Sequence, residues 1–301
     1  MTTGTVLVTG AAGGQQGQTG RRVTELLRAR GVPVRAMVRT LDERAEYLRS
    51  LGAEVVVGDF LDFGSMQKAV DGVDTVYFAY PVQDGLLDAT VNMAVAARNA
   101  GVTRLVDMVM LVSSPDAPTP RLRENYLSEQ VFEWAGIGTA HVRATVFFEN
   151  IRLLASATIA AGVFAAPFGK DETVIPLVAG EDVARVAAGV LTAADVPEGS
   201  SYRVIGQVMT VKEIVTALAH GLDRDVEYRH VPDEAWADAA ATRLNAHAVA
   251  HLSKLWANFR NLPPGGADFA VTDTIEELGG RRPKTFDEFV VEEKDSFPVS
   301  A

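Results

Sequence analysis

Short apolar runs alternate with longer amphipathic ones through the first half of the chain. The run VLV at residues 6–8 is apolar throughout and reads as a buried strand. After it, Val23, Leu26 and Leu27 share one face while Arg21, Arg22 and Arg28 lie off it, which is helical spacing. Gly31 and Pro33 end that helix. The pattern then repeats. VRAMV (34–38), EVVV (54–57) and TVYFA (75–79) read as strands, separated by helices over 42–51 and 64–71. A helix over 85–100 closes at Gly101. The run RLVDMVMLV (104–112) follows, then a polar loop SSPDAPTP, a helix over 120–135 and the strand AHVRA (140–144). Strand–helix units of this kind predict an α/β fold, a doubly wound parallel sheet with helices on both faces.

The second half is less regular. EDVARVAAGVL (181–191) and VKEIVTALAHGL (211–222, with Thr210 as N-cap) predict helices. TFDEFVVEE (285–293) opens on Thr285 and Glu288 at capping-box spacing. These elements predict a smaller α/β region packed on the sheet edge.

The stretch between the first strand and the first helix, TGAAGGQQGQTG (9–20), has glycine at five of its twelve positions. Glycine-rich turns between a strand and a helix let backbone N–H groups approach a pyrophosphate at the positive helix end. A bare strand–helix turn needs fewer glycines. Two frames fit, Gly10/Gly13/Gly20 and the evenly spaced Gly14/Gly17/Gly20. The helix face Val23/Leu26/Leu27 fixes where the helix sits, and counting back from it favours Gly10, Gly13 and Gly20. The extra residues then bulge between Gly13 and Gly17, where they would cover a pyrophosphate as a short lid. Ala12, Gln18 and Thr19 join the expected cofactor set.

The second strand ends in Arg39, where an NAD site places an acid for the ribose 2′-hydroxyl. Arginine there suits a 2′-phosphate, so NADP(H) is the expected cofactor; otherwise Arg39 is a solvated surface residue. The third strand runs into GDFLD. Asp59 reads either as an acceptor for the adenine amino group or as an N-cap for the next helix, with Phe60 beside it. Ala79, Tyr80 and Pro81 follow the fourth strand and are expected along the cofactor cleft. Residues 1–150 are thus expected to bind the dinucleotide, joined again by a segment of about 178–206. Residues 151–301 are expected to form the substrate region.

Composition narrows the partners. The net charge is −11 and the pI near 5.0, which disfavours nucleic acid and anionic membrane. Cysteine is absent, which excludes disulfides, thiolate metal sites and cysteine nucleophiles. The start MTTGTVLVTG has no charged region before an apolar stretch and reads as lacking a signal peptide. The uncharged run from Leu153 to Gly169 is broken by Gly162 and Pro167 and is too short to span a bilayer. A soluble, cytoplasmic protein is expected.

The segments VLVTGAAG, GQTGRRVTELLRARG, VRAMVR, GDFLD, VDTVYFAYP, HVRATVFFEN, EDVARVAA and GRRPKTFDEF together resemble the NmrA-like group of atypical short-chain dehydrogenases/reductases. The resemblance covers nearly the whole chain; its cofactor motifs are specific and its substrate motifs are not. It implies an NADP-binding Rossmann domain with a small C-terminal substrate domain. It also implies one of two activities. Some relatives reduce quinones, azo dyes, imines or related electrophiles. Others are redox sensors that bind dinucleotide and a protein partner without turnover. A homo-oligomer is compatible with either.

Short-chain dehydrogenases use Tyr-x-x-x-Lys. The nearest match here is Tyr126 with Gln130, so the lysine that lowers the tyrosine pKa is missing. Without it Tyr126 would be able to donate a proton but poor as a base. Tyr126 and Tyr80 are the candidate proton donors; local packing is the other reading of each. The position of the family serine falls on Val109. Ser113 or Ser114 takes it only if the fifth strand runs on to Val112. Phe147, Phe148 and Asn150 are candidates for the substrate pocket, against core packing for the rings and a local turn for Asn150. His247 and His251 share a helix face but lack a third ligand, so no metal is expected, and His251 with Leu252 and Trp256 reads as a pocket or interface wall.

Overall fold

A computed structural model of the chain describes residues 4–14, 16–262 and 269–298. The strands are β1 (Val6–Val8), β2 (Val34–Val38), β3 (Glu54–Val57), β4 (Thr75–Phe78), β5 (Arg104–Met110), β6 (Thr139–Ala144), β7 (Val146–Phe147), β8 (Val163–Ala166), β9 (Val174–Val178), β10 (Ser200–Val204), β11 (Gln207–Thr210) and β12 (Glu227–His230). The helices of the first half are α1 (Thr19–Ala29), α2 (Glu43–Ser50), α3 (Phe63–Val70), α4 (Leu86–Ala100) and α5 (Pro120–Ala135). Those of the second half are α6 (Phe148–Ala155), α7 (Gly180–Thr192), α8 (Val211–Leu222), α9 (Asp233–Ala241), α10 (Ala246–Arg260), α11 (Thr274–Gly279) and α12 (Phe286–Glu292).

Seven strands form one sheet in the order β10-β6-β5-β4-β1-β2-β3, and every pairing in it is parallel. Val6, Leu7 and Val8 are fully buried because helices cover both faces of the central strand. Alternation splits the inner residues between two cores. Val6 and Val8 pack with Val23 and Leu27 on the α1 side, while Leu7, Val76 and Phe78 pack with Met93 and Phe132 on the α4–α5 side. The strand order reverses between β1 and β4, which opens a crevice at their C-terminal ends. Helix α7 packs on α1, and β10 pairs with β6, so residues 180–204 rejoin the large sheet.

The chain leaves that sheet after Ala144 and enters a second one at Val146. There β7 pairs parallel with β9, which pairs antiparallel with β11. Strands β8 and β12 form a separate parallel pair. These elements enclose a third core rich in aromatic rings, with Phe148 edge-on to Phe286 at 5.2 Å and Phe168 edge-on to Trp256 at 5.1 Å. The capping boxes at Thr210/Glu213 and Thr285/Glu288 are both formed. Strand β5 stops at Met110, two residues short of the apolar run, because Ser113 turns back and bonds the Met110 carbonyl through its N–H and its hydroxyl. Among the described residues no helix is long and apolar enough to cross a membrane.

Candidate active site

A cleft of about 700 Å³ opens at the C-terminal ends of β1, β4, β5 and β6. Its floor carries Ala79, Val109 and Ala144, and α10 forms the facing wall through Ala248, Leu252 and Trp256.

The glycine-rich turn forms one end of the cleft. Gly10 and Gly13 both adopt left-handed backbone, at φ 61° and 69°, and the Gly13 N–H closes onto the Gly10 carbonyl at 3.0 Å. A Cβ on Gly20 would sit 2.6 Å from the carbonyl oxygens of both Thr9 and Gly10. That closeness keeps the start of α1 tight against the end of β1. Gly14 has open space around it and ordinary backbone. Gly17 is left-handed at φ 59°, and a Cβ on it would press on the Phe147 ring at 2.9 Å. A Cβ on Gly180 would stand 2.2 Å from the Gly17 carbonyl oxygen, so this part of the insertion is wedged between Phe147 and the start of α7. Gln15, in the part expected to act as a lid, lies outside the described residues. Gln18 caps α1 in left-handed conformation, its side chain makes no capping bond, and the first turn holds no acid. The first N–H groups of α1 are therefore available to an anion.

Arg39 is exposed at the end of β2 and lines the cleft. Among the described residues it makes no ion pair. Arg44 lines the same cleft, paired with the helix cap Asp42 at 2.6 Å and reaching the Gly13 carbonyl at 3.4 Å. Asp59 also lines the cleft, and its carboxylate accepts from Leu61 N at 3.0 Å. The cap of α3 is Asp62, not Asp59, since the Asp62 carboxylate takes the Ser65 N–H. The Phe60 ring stands edge-on to Phe78 and Tyr80.

The expected proton donors are not both in the cleft. Tyr80 lines it, but its hydroxyl donates to the Asp84 carbonyl at 2.7 Å and accepts from Gln83 at 3.3 Å. Tyr126 is not among the lining residues. Helix α5 presents Arg121, Leu122 and Asn125 to the cleft, and one further residue turns Tyr126 about 100° away. Gln130 bonds Glu133 on its own helix at 3.4 Å. Val109 occupies the cleft floor; Ser113 and Ser114 sit in the loop beyond β5 and do not line it. Phe147 and Asn150 line the cleft. Phe148 does not: it is fully buried in the third core, because adjacent residues at the start of α6 point to opposite sides. The Asn150 Oδ1 is buried and has no hydrogen-bond partner among the described residues.

Arg121 and His251 are among the buried polar side chains that line the cleft. Arg121 is 2% exposed and donates to the carbonyls of Tyr80 and Gln83 at 3.0 and 3.3 Å. Among the described residues it has no carboxylate partner. Burial pushes its guanidinium down to about 10, so it stays cationic at neutral pH. His251 is also 2% exposed, and its Nδ1 lies 2.9 Å from the Thr119 hydroxyl. Burial, with Arg121 and His247 nearby, pushes its pKa down to about 3, so the ring is neutral.

The family model described as NmrA-like matches residues 2–290, almost the whole chain. The chain belongs to the NmrA-like family. It is 32% identical over 297 residues to the (4-alkanoyl-5-oxo-2,5-dihydrofuran-3-yl)methyl phosphate reductase of Streptomyces griseus subsp. griseus, covering 97% of this chain and 99% of that protein. It is 27% identical over 278 residues to the NAD(P)H azoreductase of Xenophilus azovorans, covering 92% and 94%. Among solved structures it resembles the NADPH-dependent quinone oxidoreductase of Escherichia coli in complex with NADPH. There the TM-score is 0.80 at 24% identity, over 95% of this chain and 99% of that one.

In this NmrA-like chain the cleft pairs a cationic, glycine-lined end with an apolar, aromatic one. Among the described residues it holds no tyrosine–lysine pair. The polar side chains deep in it are Arg121, Asn125, Asn150 and His251. Sequence reasoning missed Arg44, Arg121 and Asn125. An arginine in the first turn of an amphipathic helix looks solvated, and nothing in the linear order brings α2 to Gly13. His251 carried a signal, its shared face with Leu252 and Trp256, but only as a wall.

Proposed function

We propose that this NmrA-like chain is an NADP(H)-dependent reductase that passes hydride to a small conjugated or aromatic electrophile of quinone, ketone, imine or azo type. The observation that carries this reading is one continuous cleft. It joins the glycine turn and Arg39 to a compartment walled by Phe147, Trp256 and Phe259.

The residues fit the cofactor. Gly10, Ala12, Gly13, Gln18, Thr19 and Gly20 form a cradle whose close approach a Cβ at Gly20 would fill. Arg39 and Arg44, both lining the cleft, supply the charge that suits a 2′-phosphate. Asp59 and Phe60 border the adenine side, and Ala79, Tyr80 and Pro81 the cleft between. The reduced nicotinamide supplies hydride, and the protein supplies orientation and a dry wall. Residues 1–150, with about 178–206, make up the dinucleotide half; 151–301 supply the substrate wall. A cysteine-free chain that spends NADPH suits the reducing cytoplasm.

The test is consumption of NADPH, followed by absorbance, with a panel of quinones, azo dyes, imines and ketones. Turnover well above background with at least one acceptor is expected. Tight NADPH binding with no turnover of any acceptor would overturn the reading. It would favour a dinucleotide sensor acting through a protein partner, to which Tyr126 and Gln130 outside the cleft already lean.

A further inference from the structure

The insertion in the glycine-rich turn reaches the substrate side of the cleft through one residue, Gly17. Gly17 and Gln18 are both left-handed, at φ 59° and 50°, immediately before α1. A Cβ on Gly17 would stand 2.9, 3.0 and 3.1 Å from three carbons of the Phe147 ring. Glycine is needed there twice over, for its backbone conformation and for the ring beside it. The space behind Gly17 is closed as well. A Cβ on Gly180 would stand 2.6 Å from the Gly17 Cα. Gly180 opens α7, and its N–H donates to the buried Glu149 carboxylate at 3.2 Å. Arg22 of α1 lies 3.6 Å from both Glu149 and Glu181, which ties the starts of α6 and α7 to α1. The back of Gly17 is thus fixed. The neighbour with room to yield is the half-buried Phe147 ring, which lines the cleft. Gly13, Gly14 and Gln16, just before Gly17 in the chain, line the same cleft.

We propose that Gly17 and Phe147 couple the two ends of the cleft, so that a dinucleotide on the glycine turn sets the ring wall against which a flat acceptor lies. The proposal rests on the reductase reading above and puts a determinant of acceptor affinity inside the cofactor turn. The cofactor phosphates take backbone N–H groups of the turn and of the start of α1. Doing so fixes the turn from Gly13 to Gly20, and Gly17 with it. Because the back of Gly17 is closed, the turn settles against the Phe147 ring and not into α7. A wall set in advance spares the acceptor the cost of ordering it. The coupling runs both ways: a bound acceptor holds the ring, the ring holds Gly17, and dinucleotide affinity rises by the same factor. Phe147 touches the acceptor in this scheme; Gly17, which acts through the ring, is a positioning residue.

The test is calorimetric titration of the full chain with 2-methyl-1,4-naphthoquinone, with and without saturating NADP+. The oxidised cofactor has no hydride to give and the chain has no cysteine to arylate, so both ligands stay intact. Quinone affinity is expected to rise about tenfold with NADP+ bound, and NADP+ affinity by the same factor with quinone bound. Gly14→Ala should keep that factor, because the space around Gly14 is open. Phe147→Ala should bring it to about one. Phe147→Leu, which keeps an apolar contact on Gly17, should restore part of it and decides the matter if the alanine variant fails to fold. Gly17→Ala should weaken quinone binding to the NADP+-saturated protein about tenfold, and adding Gly17→Ala to Phe147→Ala should cost nothing more. A factor near one in the parent, a factor that survives Phe147→Ala, additive losses in the double variant, or no quinone binding in either state would overturn the proposal. The reductase reading fails by a different sign, an NADPH-bound parent that turns over no acceptor.

Discussion

Gly20 lies against Thr9 so closely that a Cβ on Gly20 would stand 2.6 Å from the Thr9 carbonyl oxygen. Neither backbone has room to retreat, because Thr9 also accepts the Ala79 N–H through its hydroxyl at 2.9 Å. Gly20→Ala should therefore push α1 off the sheet. Overpacking of this kind costs about 1–3 kcal/mol, and NADPH affinity should fall about tenfold or more, roughly a further 1.4 kcal/mol. Gly14→Ala, with open space around it, should change neither. Denaturant melts and NADPH titrations on both variants check the pair. Equal effects would reject the Gly10/Gly13/Gly20 frame.

Arg39→Ala should weaken NADPH binding by about 10- to 100-fold, the size expected for deleting a charge-assisted bond to phosphate. NADH binding should barely change. Arg44→Ala should have a smaller effect of the same kind, since Asp42 already engages that guanidinium. Fluorescence titration with both dinucleotides measures this. A matching loss for NADH would remove Arg39 from the 2′-phosphate role.

The neighbours Phe147 and Phe148 should part company on mutation. Phe148→Ala empties a fully buried site among Phe286 and Phe289 and should destabilise the fold by about 3–5 kcal/mol. Phe147→Ala, at the half-buried cleft wall, should cost less stability and raise KM for the acceptor. Tyr126→Phe should leave kcat where it was. A clear drop in kcat in that variant would return Tyr126 to the mechanism.

His251 should leave a mark on acid stability. Its pKa is about 3 in the fold against about 6.5 in an unfolded chain. Below about 6.5 the unfolded chain takes up a proton that the folded one refuses. The stability gained by burying the neutral ring is thus complete above that pH and is lost as pH falls toward 3. The slope is about 1.4 kcal/mol per pH unit for one proton. Urea melts between pH 4.5 and 7 should show a shallower fall for His251→Phe than for the parent. Parallel curves would mean that His251 titrates normally.

The first half of the fold was legible because its signal is local. The strands VLV, EVVV and TVYFA are short runs rich in apolar residues, and the helices α1 and α4 stop at Gly31 and Gly101. The turn at Gly10–Gly20 was legible for the same reason. The second half was not. Strand β7 has two residues and β8 four, and β8 draws its partner from about 60 residues away. Pairings at that distance leave no periodic trace. The site divides along the same line. Arg39 and Asp59 follow predicted strands, and both line the cleft where position alone set them. Arg121 and Asn125 are polar residues on a helix of mixed character, and only the folded chain turns them inward. Tyr126 lies outside the cleft lining for a related reason: a spacing rule fixes the interval between residues, not which way the helix faces.

The step at Thr145, from β6 into β7, gives the cleft an asymmetric ancestry. Ala144 on the dinucleotide side and Phe147 on the substrate side are three residues apart in the chain, so that corner is set by covalent geometry. The opposite corner is built by α10, which arrives about 100 residues later and reaches the loops above the large sheet through packing and side-chain bonds, among them His251 to Thr119 at 2.9 Å and Asn245 to the Val82 carbonyl at 3.0 Å. Nothing in the parallel strands depends on whether position 252 is leucine. The acceptor range of such a scaffold can therefore be retuned along a single helix face, at Ala248, Leu252 and Trp256, while the hydride-donor side is left as it stands.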